Sequence, residues 1–288
     1  MKPAMKVNSN VQITTDMPSE EYHALKRLSS SGIKKLLVSA QDFWKSSWLN
    51  PDKDDTSSDA MNVGTAYHTR ILDGKKAFDK AYAVKPECDR RTKEGKAVYA
   101  EFKEAYPDAQ EIDAKLKSYI EAAAHRIESR AEFSRYFTDG NAEVSILWDD
   151  PETNVPMKAR LDYMQDSAII DLKTFSNSTS SDLTRIITGH IARYKYYVQA
   201  AVYREAARQA TGKNMDMFFV FQQSGPINNT IPVHFGSDLL LAQKGEDEMR
   251  LGISKFADLY AKYGTEEWFD ETEEIMLRDE SFPLYVLD

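Results

Sequence analysis

Two carboxylates and a lysine, Asp162, Asp171 and Lys173, are the residues of this chain whose types and spacing could do chemistry together. In a strand alternate side chains share a face, so Asp171 and Lys173 project together while Leu172 points into the core. An acid-Xaa-Lys triplet alone means little. The chain holds five, and four of them (Asp73 to Lys75, Glu94 to Lys96, Glu101 to Lys103, Asp113 to Lys115) fall in expected helices or turns and read as solvated charge. Only the fifth follows an apolar strand start, Ala168-Ile169-Ile170, with Asp162 nine residues before Asp171 and set between Leu161 and Tyr163. A tight meander would bring Asp162 beside Asp171, and Glu143 on the preceding strand could reach the same corner of the sheet. Converging carboxylates repel one another unless a cation, a shared proton or a basic group compensates. Hard divalent cations supply that compensation, and Mg²⁺ favours a few carboxylates plus waters and phosphate oxygens. A lysine there could orient a water or stabilise charge on a phosphoryl transition state. Metal ions would polarise the phosphate, generate hydroxide and stabilise the leaving oxygen. The plainer alternative is a sheet-edge cluster of surface acids.

Two further groups have little weight alone. Gly64-Thr65-Ala66-Tyr67-His68 places a histidine on a helical segment, where such residues are usually structural or exposed. Gln199 and Tyr203 stand four apart and share a helix face. The glutamine could hold a water or a phosphate, and the tyrosine could stack or donate a hydrogen bond; packing is the ordinary reading of such a pair.

The elements that must position these residues can be read from periodicity. Ser29, Ser30 and Ser31 are natural N-caps for a helix over Gly32 to Val38. Asn50 to Asp59 is a loop by composition, and a second helix spans Val63 to Leu72, ending at Asp73-Gly74. Glu94 to Ala105 and Glu111 to Phe137 look helical, the latter with Ile112, Leu116, Ile120, Ala123 and Ile127 at three- and four-residue steps. Strands follow at Glu143 to Trp148, Val155 to Met164 and Ala168 to Lys173, a plausible antiparallel meander. A Ser/Thr-rich loop, Thr174 to Thr188, leads into a basic helix over about Ile191 to Thr211. Met217 to Gln222 and Thr230 to Phe235 form another strand pair, before a last helix with Met249, Ile253, Phe256 and Tyr260 on one face. The expected fold class is α/β, a mixed central sheet containing an antiparallel meander and flanked by helices.

Composition bounds the alternatives. The chain has 288 residues, 42% hydrophobic and 29% charged, which excludes disorder as its dominant state. Its longest uncharged stretch, Met217 to Ser237, holds Gln222, Gln223, Asn228, Asn229 and two prolines, and cannot cross a bilayer. The N-terminus has no apolar core of a secretory signal, and the single cysteine, Cys88, excludes an intramolecular disulfide and a multi-Cys zinc site. The chain reads as soluble and cytoplasmic, with no membrane partner. Net charge is −9, yet Glu246 to Glu280 alone carries twelve acids and four bases, −8 of it. Leu183 to Lys213, by contrast, has six bases against Glu205, with Tyr194, Tyr196, Tyr197 and Tyr203 interleaved. Basic and aromatic residues together suit a phosphate backbone and unstacked bases, although an amphipathic helix with a basic face looks the same.

In order, the elements are a Gly-Xaa-Xaa-Xaa-His helix, a strand-borne Glu, an Asp strand, an Asp-Xaa-Lys strand and a Gln-Xaa-Xaa-Xaa-Tyr helix. This order resembles the PD-(D/E)XK nuclease superfamily in its RecB-like branch. The runs LSSSGIKKLL, GTAYHTRILDG and YYVQAAVYREA are most similar to the exodeoxyribonuclease VIII (RecE-type) domain of phages and prophages, over about Leu28 to Val220. The resemblance implies a restriction-endonuclease-like core: residues 1–27 as an N-terminal extension, then one nuclease domain over 28–288 with a helical insertion at about 92–138. Carried across, Asp162, Asp171 and the Leu172 carbonyl would bind Mg²⁺, with Mn²⁺ as a substitute. His68 and Glu143 would complete the metal and phosphate site; Glu152, also nearby in sequence, lies in a turn. Lys173 would position or activate the attacking water, and Gln199 and Tyr203 would orient the scissile strand. Arg193, Lys195 and Tyr196 are the further candidates for DNA contact. One departure is Ala159, where relatives often have glycine three residues before the first Asp.

The resemblance further implies 5′-to-3′ digestion of linear double-stranded DNA, leaving a 3′ single-stranded tail for recombination by strand annealing. It implies a ring-shaped homo-oligomer, trimer or tetramer, and a partner single-strand annealing protein. Competing readings are a RecB-like repair endonuclease, a catalytically silent DNA-binding subunit on the same fold, and an unrelated metal hydrolase of small phosphoesters. Retention of Asp162, Asp171 and Lys173 together argues against the silent subunit, and the basic, tyrosine-rich segment favours a polymer substrate.

Overall fold

Hydrophobic alternation places the meander where the sequence predicts it, within a larger mixed sheet. The computed structural model describes residues 11–53, 59–177 and 182–270, with Arg278 (of residues 59–61, the backbone alone). Parts of the expected loops at Asn50 to Asp59 and Thr174 to Thr188, and of the acidic stretch up to Glu280, lie outside the described residues.

The chain runs through β1 (Gln12–Thr14), α1 (Ser19–Ala24), α2 (Ser30–Leu36), α3 (Ala40–Ser46) and α4 (Asp59–His68). A π-helical turn, Thr69–Asp73, continues α4 and leads to α5 (Lys75–Ala81), β2 (Tyr82–Val84), α6 (Lys93–Ala105), β3 (Gln110–Ile112), α7 (Ala114–Ser129) and α8 (Ala131–Ser134). After a 3₁₀ turn at Arg135–Phe137 come β4 (Gly140–Asp149), β5 (Pro156–Gln165) and β6 (Ala168–Phe175). Then follow α9 (Leu183–Arg193), α10 (Tyr196–Thr211), β7 (Asp216–Gln223), β8 (Thr230–His234) and α11 (Leu240–Tyr263). Six strands form one sheet in the order β1-β4-β5-β6-β7-β8, with β6 and β7 parallel and every other neighbour pair antiparallel. The parallel pair requires a crossover, which α9 and α10 supply. The result is the mixed α/β sheet expected from the sequence.

The two faces of β6 decide where chemistry can sit. Ala168, Ile170 and Leu172 pack with Val220, Tyr136 and Tyr163 under the π-helical turn. Ile169 and Phe175 belong to the main core on the opposite face, which is covered by Val198, Ala201 and Val202 of α10. Asp171 and Lys173 alternate with the first set and therefore face α10. In turn α11 covers α10 through the buried Met249, Ile253 and Phe256, while Tyr260 stays 46% exposed and stacks on Phe256. The segment ahead of Leu28 is joined to the sheet: β1 pairs with β4, and the buried Lys158 of β5 donates to the carbonyls of Tyr22, His23 and Leu25.

Two expected helices are divided. The helix expected over Glu111 to Phe137 begins only at Ala114, because Gln110–Ile112 pairs in parallel with Tyr82–Val84 and Asp113 then caps α7 by accepting from the Leu116 amide at 2.6 Å. It ends at the extended Arg130, so Ala131 to Phe137 is separate from it: the short helix α8, then the 3₁₀ turn. The basic helix expected from Ile191 is two helices. The first starts at Leu183, capped by Asp182, inside the stretch read as loop; the chain then breaks at Lys195, whose φ of 50° is left-handed. Among the described residues no helix is long and apolar enough to cross a membrane.

Candidate active site

The candidate site forms where β5 and β6 part. The ladder between them includes Tyr163–Ile170 and Met164–Ile169. One residue further, the Asp162 carboxylate reaches across, and its Oδ2 accepts the Leu172 amide at 2.7 Å. A side chain thus satisfies a main-chain donor that a continuing ladder would have used. The same Oδ2 lies 3.2 Å from His68 Nε2. Nδ1 of that ring is 2.9 Å from the Gly64 carbonyl, which can only accept, so Nδ1 carries a proton. Burial opposes a charged imidazole, but the Asp162 carboxylate outweighs it and raises His68 to about 9. The pair is therefore an imidazolium donating to a carboxylate, and Asp162 is held below the usual range against its own burial. Gly64 allows this approach, since a Cβ there would press on Thr174 Oγ1 of β6 at 3.3 Å.

Asp171 is almost fully enclosed, its side chain 1% exposed. Its Oδ1 accepts from Gln199 Nε2 at 2.9 Å, and Lys173 Nζ lies 2.5 Å from its Oδ2. Burial pushes the carboxyl up to about 6, the Lys173 charge opposing and the Asp162 charge adding to the rise. Lys173 is raised as well: desolvation works against its charge, but Asp171 and Asp162 prevail, so it is an ammonium. Nζ also donates to Gln199 Oε1 at 3.1 Å and lies 4.6 Å from the Tyr196 ring centroid. Gln199 thus grips both members of the acid–lysine pair, and its Nε2 donates again to the Tyr203 hydroxyl at 2.9 Å.

Glu143 stands opposite Asp162 in the β4–β5 register, between the pairs Ala142–Tyr163 and Val144–Leu161. Its φ of 51° is left-handed, a conformation that a non-glycine residue adopts at a cost of about 1–3 kcal/mol. The Glu143 side chain lies 3.3 Å from Arg160 Nε. Burial and the neighbouring Asp162 raise its carboxyl to about 7, against the pull of Arg160. Glu152 is in the β4–β5 turn, 73% exposed, at the opposite end of these strands.

The predicted nucleic-acid contacts are distributed differently. Tyr203 is buried beneath Gln199, so it supports the glutamine instead of offering a stacking face. Tyr196 lies beneath Lys173. Lys195 Nζ is paired with Glu248 at 3.0 Å, and Arg193 sits 5.6 Å from the Tyr194 ring. Two residues escaped the sequence reading. Arg160 shares a strand face with Asp162, a period-two signal that could have found it. Lys34 of α2 donates to the Tyr194 carbonyl at 3.2 Å and is lowered to about 8, by burial first and then by Lys173. Nothing local to α2 signals that position. Asp73, read as solvated charge, is close enough to Glu143 for its charge to raise that carboxyl.

Among the described residues no three His, Cys, Asp or Glu side chains form a ready-made cage for an ion. A hard cation such as Mg²⁺ needs only one or two carboxylates, completing its shell with water and phosphate oxygens. The donor set fits that requirement. The Asp171 carboxylate is buried beside the Lys173 ammonium, and Asp162 lies on the adjoining strand with its charge acting on Asp171. PD-(D/E)XK nucleases generally use divalent metals.

Comparison with known proteins bears on the fold and the family. A crystal structure of a "Putative exonuclease" from Eubacterium rectale superposes with a TM-score of 0.57 at 19% identity, covering 84% of this chain and 87% of that one. A second solved structure, SSO0001, aligns at 14% identity over 68% of this chain and 87% of its own, with a TM-score of 0.27. No curated protein sequence matches. Residues 29–261 match the family described as "PDDEXK-like domain of unknown function (DUF3799)". With residues 29–261, most of its length, matched, this chain belongs to that PDDEXK-like family and has the PD-(D/E)XK nuclease fold.

Proposed function

We propose that this protein is a metal-dependent exonuclease that digests linear double-stranded DNA from 5′ to 3′ and leaves a 3′ single-stranded tail. The observation that carries the reading is the Asp171–Lys173 pair, buried, clamped by Gln199 and adjoined by Asp162. The Eubacterium rectale neighbour described as a "Putative exonuclease" and the RecE-type runs in the sequence favour the exonucleolytic form.

Asp162, Asp171 and the Leu172 carbonyl would hold Mg²⁺, with Mn²⁺ as a substitute. The bound ion supplies polarisation of the scissile phosphate and stabilisation of the leaving oxygen. Lys173, held against Asp171, would position or activate the attacking water, or hold a phosphate oxygen, from Nζ. Gln199 fixes the direction of that ammonium through Oε1. His68 keeps Asp162 ionised, and Glu143, with a carboxyl near neutral, completes the acidic corner. Arg193, Tyr194 and Lys195 lie at the α9–α10 junction, where a DNA strand would pass. The same reading carries a ring-shaped homo-oligomer and a single-strand annealing partner.

The test is digestion of a linear duplex labelled at one 5′ or one 3′ end, with Mg²⁺ and with EDTA, beside a covalently closed circle. Release of the 5′ label as mononucleotide with Mg²⁺ alone, the circle intact, is the expected outcome. Loss of the circle would make it a RecB-like repair endonuclease. No cleavage with Mg²⁺ or Mn²⁺ would make it a silent DNA-binding subunit.

A further inference from the structure

A groove of about 730 Å³ opens beside the acid–lysine cluster, between α2 and α3 on one side and the α9–α10 junction on the other. Its walls carry five cations, Lys34, Lys35, Lys45, Arg193 and Lys195, against the single acid Asp42. Lys195 is neutralised by Glu248, and Lys34 is anchored on the Tyr194 carbonyl. Among the described residues Lys35, Lys45 and Arg193 have no ion pair. Like charges gathered on one concave surface raise one another's energy, and a bound polyanion relieves it.

The groove is continuous with the reacting centre. Tyr194, 44% exposed, stacks on Tyr196 with ring centroids 5.7 Å apart and planes at 27°. The Tyr196 ring in turn lies near two ammonium groups, Lys173 Nζ at 4.6 Å and Lys34 Nζ at 5.8 Å. Cations at several points along the walls and a partly exposed tyrosine ring, flanked by Tyr196, Arg193 and His190, suit a ligand with repeated anions and flat rings. An acidic peptide would use the cations and not the exposed part of the Tyr194 ring. The volume falls in the range of about 300–1,000 Å³ that encloses a small molecule, which suits a few nucleotides of one strand and not a duplex.

We propose that this groove holds a few nucleotides of single-stranded DNA next to the scissile phosphate, with Lys34 on the phosphate nearest Lys173 and Tyr194 against a base. The inference rests on the nuclease reading of the adjoining cluster and names the form in which substrate reaches it: an unpaired end.

The experiment measures anisotropy of a fluorescein-labelled oligo(dT) 12-mer with the full chain in EDTA, across a salt series. The proteins are wild type, the double variant Lys35→Ala/Lys45→Ala, the matching Lys→Arg pair, and Tyr194→Ala. Both lysines are exposed, so the fold should survive, and circular dichroism checks it. The alanine pair should weaken binding about tenfold and reduce the salt slope by roughly 1.4, near 0.7 for each single-strand phosphate that a lysine no longer neutralises. The arginine pair should restore both, and Tyr194→Ala should weaken binding with the slope unchanged. In digestion assays the alanine pair's loss should fall on KM more than on kcat. Wild-type affinity and slope in the alanine pair would overturn the inference, as would tighter binding of poly-glutamate than of oligo(dT), which would assign the groove to an acidic protein segment. If wild type binds the oligonucleotide through these residues but cleaves nothing, the nuclease reading fails and the groove stands. If it cleaves and the variants bind normally, the groove alone fails.

Discussion

Lys173 Nζ lies 2.5 Å from Asp171 Oδ2, an ion pair buried on its acidic side. The ammonium also donates to Gln199 Oε1, at 3.1 Å. A buried carboxylate held against an ammonium that Gln199 orients is a preorganised pair, suited to binding a second cation or a polarised water.

Removing either member should stop cleavage. Asp171→Ala and Lys173→Ala are each expected to lower kcat by at least about 10³-fold, the scale for losing a preorganised electrostatic group. DNA binding measured in EDTA should largely persist. Wild-type digestion rates in either variant would mean that the chemistry lies elsewhere.

Gln199 touches no expected reacting atom, so it is a positioning residue. Gln199→Ala should reduce kcat by about 10–100-fold, as loss of an orienting partner does. Because Gln199 holds both groups, coupling to Lys173 should be strong: in the double variant with Lys173→Ala, the further loss from Gln199→Ala should nearly vanish. Fully multiplicative losses would contradict the clamp.

The close crossing of α10 and α11 rests on Gly245, where a Cβ would overlap the Tyr197 carbonyl. Gly245→Ala should destabilise the fold by about 1–3 kcal/mol, the cost of overpacking a tight contact. Gln199 lies two residues past Tyr197, so digestion should slow too. An unchanged urea midpoint would show that the helices can separate freely.

Stability should depend on pH through Asp150. This fully buried carboxylate accepts from Arg250 at 2.6 Å and from the Thr153 amide and hydroxyl at 3.0 and 2.9 Å. Burial pushes it up, but those partners together win and its pKa is lowered. The unfolded chain therefore binds the proton more tightly, so the contribution is complete above the ordinary aspartate value of about 3.9 and fades as pH falls through the lower folded value. Asp150→Ala should cost about 3–5 kcal/mol at pH 7, the scale for breaking a buried pair. In urea unfolding the gap between variant and wild type should narrow below pH 4; a constant gap would assign the loss to packing.

Much of the fold was legible because strand and helix periods are local. The apolar run before Asp171, the alternation that sets Asp171 and Lys173 on one face, and the four-residue step from Gln199 to Tyr203 all follow from which neighbours share a face. Where pairing crossed the chain, local reading failed. Gln110–Ile112 is a strand because Tyr82–Val84 lies beside it, and the basic helix breaks at Lys195 where the Tyr194 carbonyl takes the Lys34 ammonium.

The sequence by itself determined the ordered set of chemical groups, Asp162, Asp171, Lys173, Gln199 and His68, because their spacing along strands and helices fixes the directions in which they project. Only the tertiary structure decided their states and company: the left-handed backbone of Glu143, the imidazolium on Asp162, the burial of Tyr203, and the arrival of Lys34 and Arg160. Those depend on charge and desolvation, which are set by the distance between elements remote in sequence and are therefore created by packing.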